Sequence, residues 1–380
     1  NLVKTQQLEY WPLRGNAQEV AESQEMRDLL EKGNFLAIAA FQAKAAQRAA
    51  LEWAEDGLAA CQNVEMIIAG IGGLFLGLSF AELLRVPLLQ AYYVPFTPTK
   101  AFPGALAPQP SLQLGGSFNR LSHHLTRQVM WQASRSADTL ARKKVLGLPA
   151  APFGGPYHSE AIQGMPVLYG YSPSVIPRPA DWHENNHVTG YWFLDAEETW
   201  RPPSALIDFL ESGSPPIYIG FGSMGNRKPE ETTGLIIEAV KKSQQRAILH
   251  SGWNGLQKSD LPESIFMIDS IPHSWLFQRM AAVVHHGGAG TTAAGLRAGV
   301  PGIIVPFFAD QPFWGARVAE LGVGPKPIPR KSLTAEQLSQ AIQVAVTDAD
   351  MRQRAANLGA KIQSEDGVAE AVEIIGRLKM

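Results

Sequence analysis

Cysteine and long apolar segments are scarce in this sequence. Its only cysteine, Cys61, cannot form a disulfide within the chain, and such sparse use of cysteine is typical of a reducing compartment. The longest uncharged apolar run, residues 66–81, is interrupted by four glycines and is shorter than the roughly 20 residues that a membrane-spanning helix needs. We therefore expect a cytoplasmic protein without a spanning helix. Because the chain begins at Asn1 rather than at a methionine, we expect further residues ahead of it.

A surplus of positive charge is also missing. Lys and Arg total 33 against 35 for Asp and Glu, a formal net charge of −2, which argues against a nucleic-acid partner. The sequence contains no Gly-Lys-Ser/Thr phosphate loop and no Gly-x-Ser-x-Gly motif, which disfavours ATP hydrolysis and serine-elbow chemistry. Neighbouring residues of a strand point to opposite faces, so His285 and His286 are poor joint ligands for a metal ion.

Length and apolar patterning indicate two α/β domains. With 380 residues the chain suffices for two, and proline-rich stretches within residues 197–216 predict the connection. We assign residues 1–200 to an N-terminal domain and residues 201–380 to a C-terminal domain. Five short apolar runs in the C-terminal half predict buried strands that alternate with helices, as in a doubly wound parallel sheet. These runs are Ile217–Gly220, Ala247–His250, Ile265–Ile268, Ala282–His285 and Gly302–Val305.

The N-terminal half shows similar units less regularly. Strands are predicted at Met66–Ala69 and Pro87–Tyr93, with a helix over Leu74–Leu84 between them. A proline-rich loop, Pro95–Gly116, follows, and a loop of this length is usually either functional or disordered.

A basic helix is predicted over Ser117–Lys144, which holds six Arg or Lys residues and one acid. Our favoured interpretation places Leu121, Leu125 and Val129 in the domain core and leaves the basic side chains in solvent. The alternative is a peripheral contact with anionic lipid, to which each basic residue near the surface contributes about 1 kcal/mol.

Three segments that follow predicted strands carry residues suited to a ligand. Residues 285–292, His-His-Gly-Gly-Ala-Gly-Thr-Thr, open a helix, and a helix N-terminus favours an anion such as phosphate. A second glycine turn, residues 220–225, follows the first strand, and two such turns suit the two phosphates of a pyrophosphate. Asp310 and Gln311 follow the fifth strand and suit sugar hydroxyls, although the pair alone is explained more simply by Asp310 as a helix N-cap.

Together these segments resemble the nucleotide-sugar box of the family 1 UDP-glycosyltransferases. The box here comprises Ile-Pro-His-Ser-Trp-Leu-Phe at 271–277, the glycine segment at 285–292, Gly-Val-Pro at 299–301 and Asp-Gln at 310–311. Residues 95–99, Pro-Phe-Thr-Pro-Thr, and residues 188–194, Val-Thr-Gly-Tyr-Trp-Phe-Leu, are most similar to sterol 3-β-glucosyltransferases and their bacterial relatives. The resemblance implies the GT-B fold, in which two Rossmann-like doubly wound domains face each other across a cleft.

The resemblance also implies an inverting transfer of glucose from UDP-glucose to a hydroxyl of a sterol or similar apolar alcohol. UDP-glucose is the donor substrate, and no metal or other cofactor is expected. The residues expected to bind the donor are Ser223, Trp253, Ile271, His286, Gly288, Gly290, Thr291, Asp310 and Gln311. The residues expected to bind the acceptor are Phe96, Phe102 and Trp192.

The sequence departs from the family at two places. Plant members have a tryptophan that stacks on uracil ahead of the Val/Ile-Pro pair, where this chain has Ser270, so Trp253 is either its replacement or a core residue. Sterol-type members carry a Gly-x-Arg-Gly-Asp turn whose aspartate is the expected general base, and this motif is absent here. We therefore name no catalytic residue and expect the base ahead of Asn1.

Three other functions stay open at this point. One is a broader glycosyltransferase for macrolides, flavonoids or similar products, and another is a nucleotide-sugar binding protein without turnover. The third is an isomerase of the same fold, such as a UDP-N-acetylglucosamine epimerase, which has no use for an acceptor loop like Pro95–Gly116.

Overall fold

A computed structural model describes residues 2–15, 23–32, 35–107, 114–159, 162, 164–195, 197, 199–221, 229–250 and 261–378. Two of the expected donor-binding residues, Ser223 and Trp253, lie outside this part of the chain, so their roles stay predictions. Within it, no helix combines the length and the apolar character that crossing a bilayer would require.

The first sheet has four strands in the order β1-β2-β3-β4, of which the first three are parallel. The strands are Ile67–Ala69 (β1), Leu88–Tyr92 (β2), Val167–Tyr169 (β3) and Asn186–Val188 (β4). The helices are Leu2–Thr5 (α1), Gln24–Lys32 (α2), Phe35–Ala60 (α3), Leu74–Leu84 (α4) and Gly116–Ala141 (α5), with a π-helical turn at Arg142–Leu146. The predicted helix at Leu74–Leu84 is confirmed, as are the strands on either side of it.

The second sheet has five parallel strands in the order β7-β6-β5-β8-β9. The strands are Ile217–Gly220 (β5), Ala247–His250 (β6), Ile265–Ile268 (β7), Ala282–His285 (β8) and Gly302–Ile304 (β9). The helices are Ser204–Glu211 (α6), Pro229–Ser243 (α7), His273–Leu276 (α8), Ala289–Ala298 (α9), Gln311–Glu320 (α10), Ala335–Thr347 (α11), Ala349–Gln363 (α12) and Gly367–Arg377 (α13). Every predicted strand is confirmed to within one residue. Apolar side chains cover both faces of this sheet. One face packs in a cluster around Ile217 and Ile219, and the other packs in a cluster around Tyr218 and Val283.

The described residues divide into two compact units. The N-terminal unit draws on Asn1–Gly104, Leu114–Tyr169 and Pro179–His187. The C-terminal unit draws on residues 105–107, Gly170–Arg178 and Val188–Met380. The domain boundary expected after residue 200 stays a prediction.

Side-chain hydrogen bonds explain where segment 170–178 belongs. Ser172 Oγ donates to Glu365 Oε1 at 2.7 Å, and Arg317 Nε donates to the Val175 carbonyl at 2.6 Å. Both partners belong to the helical region of the C-terminal unit, and sequence periodicity does not reveal such contacts.

Helix α5 is rotated so that the leucine face that we expected in the core is exposed to solvent. Leu121 and Leu125 are 53% and 57% exposed, although we expected both in the core. Near the start of the helix, the buried face instead carries polar side chains that bond to the preceding loop. Ser122 Oγ accepts from Gly104 N–H at 2.8 Å, and His123 Nε2 lies 3.1 Å from the Phe102 carbonyl oxygen. Hydrogen bonds to the preceding loop therefore help to set the rotation of this helix at its start.

Candidate functional site

The candidate site lies at the carboxyl ends of the central strands of the second sheet. β5 and β8 are neighbours there, and Gly220 at the end of β5 pairs with His285 at the end of β8. The chain leaves β5 toward β6 on one side, while β9 follows β8 on the other. This reversal of strand order is the place where open α/β sheets bind ligands. Both predicted glycine turns start here, although residues 222–225 lie outside the described residues.

The turn between β8 and α9, residues 286–288, requires glycine for steric reasons. Gly287 has φ +90°, and a Cβ there would come within 2.6 Å of Ile304 Cγ2 and 3.1 Å of the Gln311 carbonyl oxygen. The turn therefore packs directly against the end of β9 and the start of α10. Two of the three segments singled out in the sequence are thus in contact.

Helix α9 presents unpaired backbone donors at its first turn. Its first intrahelical bond runs from Thr292 N–H to the Gly288 carbonyl at 2.9 Å, so the N–H groups of Ala289, Gly290 and Thr291 lack intrahelical acceptors. Thr292 Oγ1 also donates to the Gly288 carbonyl, at 2.9 Å. A Cβ on Gly290 would meet no atom within 4 Å, so there is open space beside these donors. This arrangement has the chemistry of an anion site.

The His286 side chain lies against the same turn. A Cβ on Gly288 would come within 2.6 Å of His286 Nε2, so the glycine makes room for the ring. His286 Nδ1 is buried and has no hydrogen-bond partner among the described residues. Burial also lowers the pKa of His286, so the ring is neutral at pH 7. A neutral imidazole has one N–H to donate and therefore suits a phosphate oxygen.

Asp310 does not cap helix α10 with its side chain, although that was the simplest interpretation of the pair alone. Asp310 Oδ2 instead accepts from Trp314 Nε1 at 2.8 Å, and burial raises the pKa of this carboxyl group. Trp314 is a contributor that the sequence analysis missed, although its position four residues after Asp310 on a helix was a usable signal.

Gln311 is bound back onto its own loop. Its Oε1 accepts from Phe307 N–H at 2.8 Å and from Phe308 N–H at 3.2 Å. The carboxamide oxygen is therefore engaged within the protein, and the NH₂ group is the part suited to a sugar hydroxyl. The sugar-binding roles of Asp310 and Gln311 stay predictions.

Ile271 follows β7, which is an edge strand of the sheet. Its side chain packs on the apolar cluster around Tyr218, so its backbone groups are the part suited to a base edge, and this role stays a prediction. Among the described residues, no group of three or more His, Cys, Asp or Glu side chains is arranged to hold a metal ion.

The three expected acceptor residues have different surroundings. The Phe96 ring is 3% exposed and packs against Tyr92 and Arg127 in the N-terminal unit, so contact with an acceptor would require this core to open. Phe102 is half-buried in the same unit, with its ring 6.0 Å from that of His123. Trp192 belongs to the C-terminal unit, is 37% exposed and donates from Nε1 to Thr189 Oγ1 at 2.9 Å. The three side chains therefore do not share one unit, and their acceptor roles stay predictions.

Comparison with known sequences identifies relatives along almost the whole chain. Residues 235–378 match the family described as erythromycin biosynthesis protein CIII-like, C-terminal domain. A sterol 3-beta-glucosyltransferase of Neosartorya fischeri is 38% identical over 391 aligned positions, which cover 99% of this chain and 26% of the relative. The sterol 3-beta-glucosyltransferase UGT80B1 of Arabidopsis thaliana is 40% identical over 299 positions, which cover 78% of this chain and 48% of the relative. The chain thus spans between a quarter and a half of the length of these two relatives.

Comparison with solved structures shows the fold. The glycosyltransferase of kitacinnamycin superimposes with a TM-score of 0.65 at 14% identity, covering 99% of this chain and 88% of that one. The calicheamicin glycosyltransferase CalG4 superimposes with a TM-score of 0.63 at 17% identity, covering 92% and 85%. The GT-B fold and the resemblance predicted from the sequence are confirmed. The chain therefore has the GT-B fold, and its sequence is similar to those of sterol 3-beta-glucosyltransferases.

Proposed function

We propose that the chain is part of a glycosyltransferase that moves glucose from UDP-glucose to a hydroxyl of a sterol or similar apolar alcohol, with inversion at the anomeric carbon. The names of the similar proteins support the sugar and the acceptor class. The chain covers only part of those relatives, so the activity, the acceptor and a cytoplasmic location all belong to this proposal.

One observation carries the proposal. The first turn of α9, with its unpaired N–H groups and the open space beside Gly290, lies at the reversal of strand order in the second sheet. In this proposal the diphosphate of UDP-glucose lies against Gly288, Gly290 and Thr291, and His286 donates to a phosphate oxygen.

The same groups have a role in the reaction. The acceptor hydroxyl gives its proton to a general base as its oxygen bonds to C1 of glucose, while the bond from C1 to the diphosphate breaks and UDP leaves with the electron pair. The leaving diphosphate gains negative charge, which the N-terminus of α9 stabilises without a metal. In this proposal Asp310 and Gln311 bind the glucose hydroxyls.

The first test is UDP binding by calorimetry. His286→Ala should weaken UDP binding by about 1–3 kcal/mol, because one donor to a charged phosphate is lost. His183→Ala, at an exposed histidine of the N-terminal unit, is the matched control and should bind UDP as the wild type does. Equal affinities of all three proteins would remove His286 from the donor site.

Turnover is tested separately on the full-length protein. UDP-glucose and a mixed panel of alcohols are supplied, and the products are identified by mass spectrometry. A glucosylated sterol supports the proposal, whereas products from macrolides or flavonoids favour a broader enzyme. UDP binding without any product favours a nucleotide-sugar binding protein.

We also propose that the protein contacts membranes peripherally through α5. Leu121, Leu125 and Phe118 form an exposed apolar face, and exposed Lys100 and Arg120 lie near its start. Two other arginines of the helix are already engaged, because Arg127 lies over the Phe96 ring and Arg135 over the Phe153 ring.

Vesicle co-sedimentation tests this contact. Leu121→Gln combined with Leu125→Gln should abolish binding to anionic vesicles, because the apolar face no longer inserts. Arg120→Gln should weaken binding only at low salt. A double leucine variant that sediments like the wild type would show that this face does not meet the bilayer.

A further inference from the structure

His285 is a buried polar side chain to which the proposed function assigns no role. It is the last residue of β8 and is 1% exposed. As β8 alternates its side chains, His285 lies on the same face of the sheet as Val283, which packs in the cluster around Tyr218. A buried imidazole in an apolar cluster is costly unless it makes a specific hydrogen bond.

That hydrogen bond is made to the β8–α9 turn. Gly287 N–H donates to His285 Nδ1 at 3.1 Å, and the contact is buried. Since Nδ1 accepts, the ring proton is on Nε2 and the imidazole is neutral. Burial agrees with this assignment, because it lowers the pKa of His285 well below its ordinary value.

Gly287 is therefore held from two sides. His285 binds its N–H group, while Ile304 and the backbone of Gln311 fill the space where a Cβ would stand. The next residue, Gly288, begins the stretch of backbone from which α9 directs its unpaired N–H groups. A left-handed conformation at Gly287 is one of several that glycine adopts readily, and the hydrogen bond to His285 selects one of them.

We propose that His285 is a positioning residue for diphosphate binding: its Nδ1 fixes the β8–α9 turn so that the N–H groups of α9 and the His286 ring face the diphosphate of the donor. This inference rests on the proposed function for the identity of the anion. His285 itself does not touch the diphosphate and acts through Gly287.

Two substitutions at His285 distinguish the effect of its hydrogen bond on UDP binding from the effect of its side-chain volume. His285→Asn places a carbonyl oxygen close to the position of Nδ1 and keeps an acceptor for Gly287 N–H, whereas His285→Leu fills a similar volume without one. Calorimetry with UDP and with uridine separates the phosphate contribution from the binding of the nucleoside. His183→Asn, at an exposed site, controls for the loss of a histidine.

We expect His285→Leu to lose about tenfold or more in UDP affinity, the usual consequence of losing one buried hydrogen bond that orients a site. Its uridine affinity should change little, and His285→Asn should recover most of the UDP affinity. Unchanged UDP affinity in His285→Leu, an equal loss for UDP and uridine, or an equal loss in the Leu and Asn variants would each overturn the proposal.

Hydrogen exchange of the Gly287 amide in the unliganded wild type tests the hydrogen bond to His285 without requiring that any variant folds. Slow exchange is expected, because the N–H group is buried and bonded, and fast exchange would overturn the proposal. A wild-type protein that does not bind UDP would overturn the proposed function, while slow exchange at Gly287 would still support the bond to His285.

Discussion

Gly287→Ala should destabilise the C-terminal unit by roughly 2–5 kcal/mol, a sum of backbone strain and steric overlap. Alanine at φ +90° is strained, and its Cβ would overlap Ile304 Cγ2 at 2.6 Å. The side chain of Ile304 can move by changing its rotamer, but the Gln311 carbonyl oxygen, 3.1 Å away, belongs to the backbone and can move only with the start of α10. Urea unfolding of the wild type and the variant measures the difference in free energy of unfolding.

Gly290→Ala is the matched control. Gly290 lies in the first turn of α9, and a Cβ there would meet nothing within 4 Å. The free energy of unfolding of the Gly290→Ala variant should stay the same or rise by up to about 1 kcal/mol, because alanine favours the helix. If the open space beside Gly290 receives the diphosphate, however, the methyl group should reduce UDP affinity. A stable Gly290→Ala protein with full UDP affinity would place the diphosphate elsewhere, and a Gly287→Ala protein as stable as the wild type would contradict the tight packing of the turn.

The strands of the second sheet were predictable because local pattern and burial agree. Ile217–Gly220 and Ala282–His285 are short apolar runs close to Pro or Gly, and a central parallel strand buries both faces. The glycine segment after β8 was equally informative, because the strand end and the helix start on either side of it define where its N–H groups point.

Features that depend on distant hydrogen bonds were not predictable. The spacing of Leu121 and Leu125 on α5 favours an apolar inner face, but the bonds of Ser122 and His123 to the loop at Phe102–Gly104 rotate that face outward. Asp310 is a similar case. Its carboxylate has a strong alternative partner in Trp314, and residue type alone does not distinguish that partner from a helix N–H group.

Acid should destabilise the C-terminal unit more than the N-terminal unit. Burial lowers the pKa of His273 to about 4, and it also lowers those of His285 and His286. The unfolded chain therefore binds protons at these residues below about pH 6.5, while the folded chain does not, so the free energy of unfolding falls as the pH decreases from 6.5 toward 4. His273 alone accounts for about 3 kcal/mol at the lower end of this range. Asp310, whose pKa is raised by burial, acts in the opposite direction.

In the N-terminal unit two shifts of opposite effect nearly cancel. Burial lowers the pKa of His123 to about 4, which destabilises the folded state as the pH falls below 6.5. Burial also raises the pKa of Asp138 to about 6, so the folded state binds this proton more readily than the unfolded state and gains stability between pH 6 and 4. We therefore expect little net change in the stability of this unit over the same range.

Hydrogen exchange with mass spectrometry, corrected for intrinsic exchange rates, measures the opening free energy of each unit at pH 7 and pH 5. Peptides from β5 and β8 should lose protection at pH 5, whereas peptides from β2 should not. His273→Gln removes one buried imidazole and should reduce the pH dependence of the C-terminal unit only, while His183→Gln, at an exposed position, should leave both units unchanged. Equal losses in the two units would contradict the cancellation between His123 and Asp138. A C-terminal unit that is indifferent to pH would show that protons bind its histidines as readily in the folded chain as in the unfolded one, because the buried sites then open enough to let the charge be solvated.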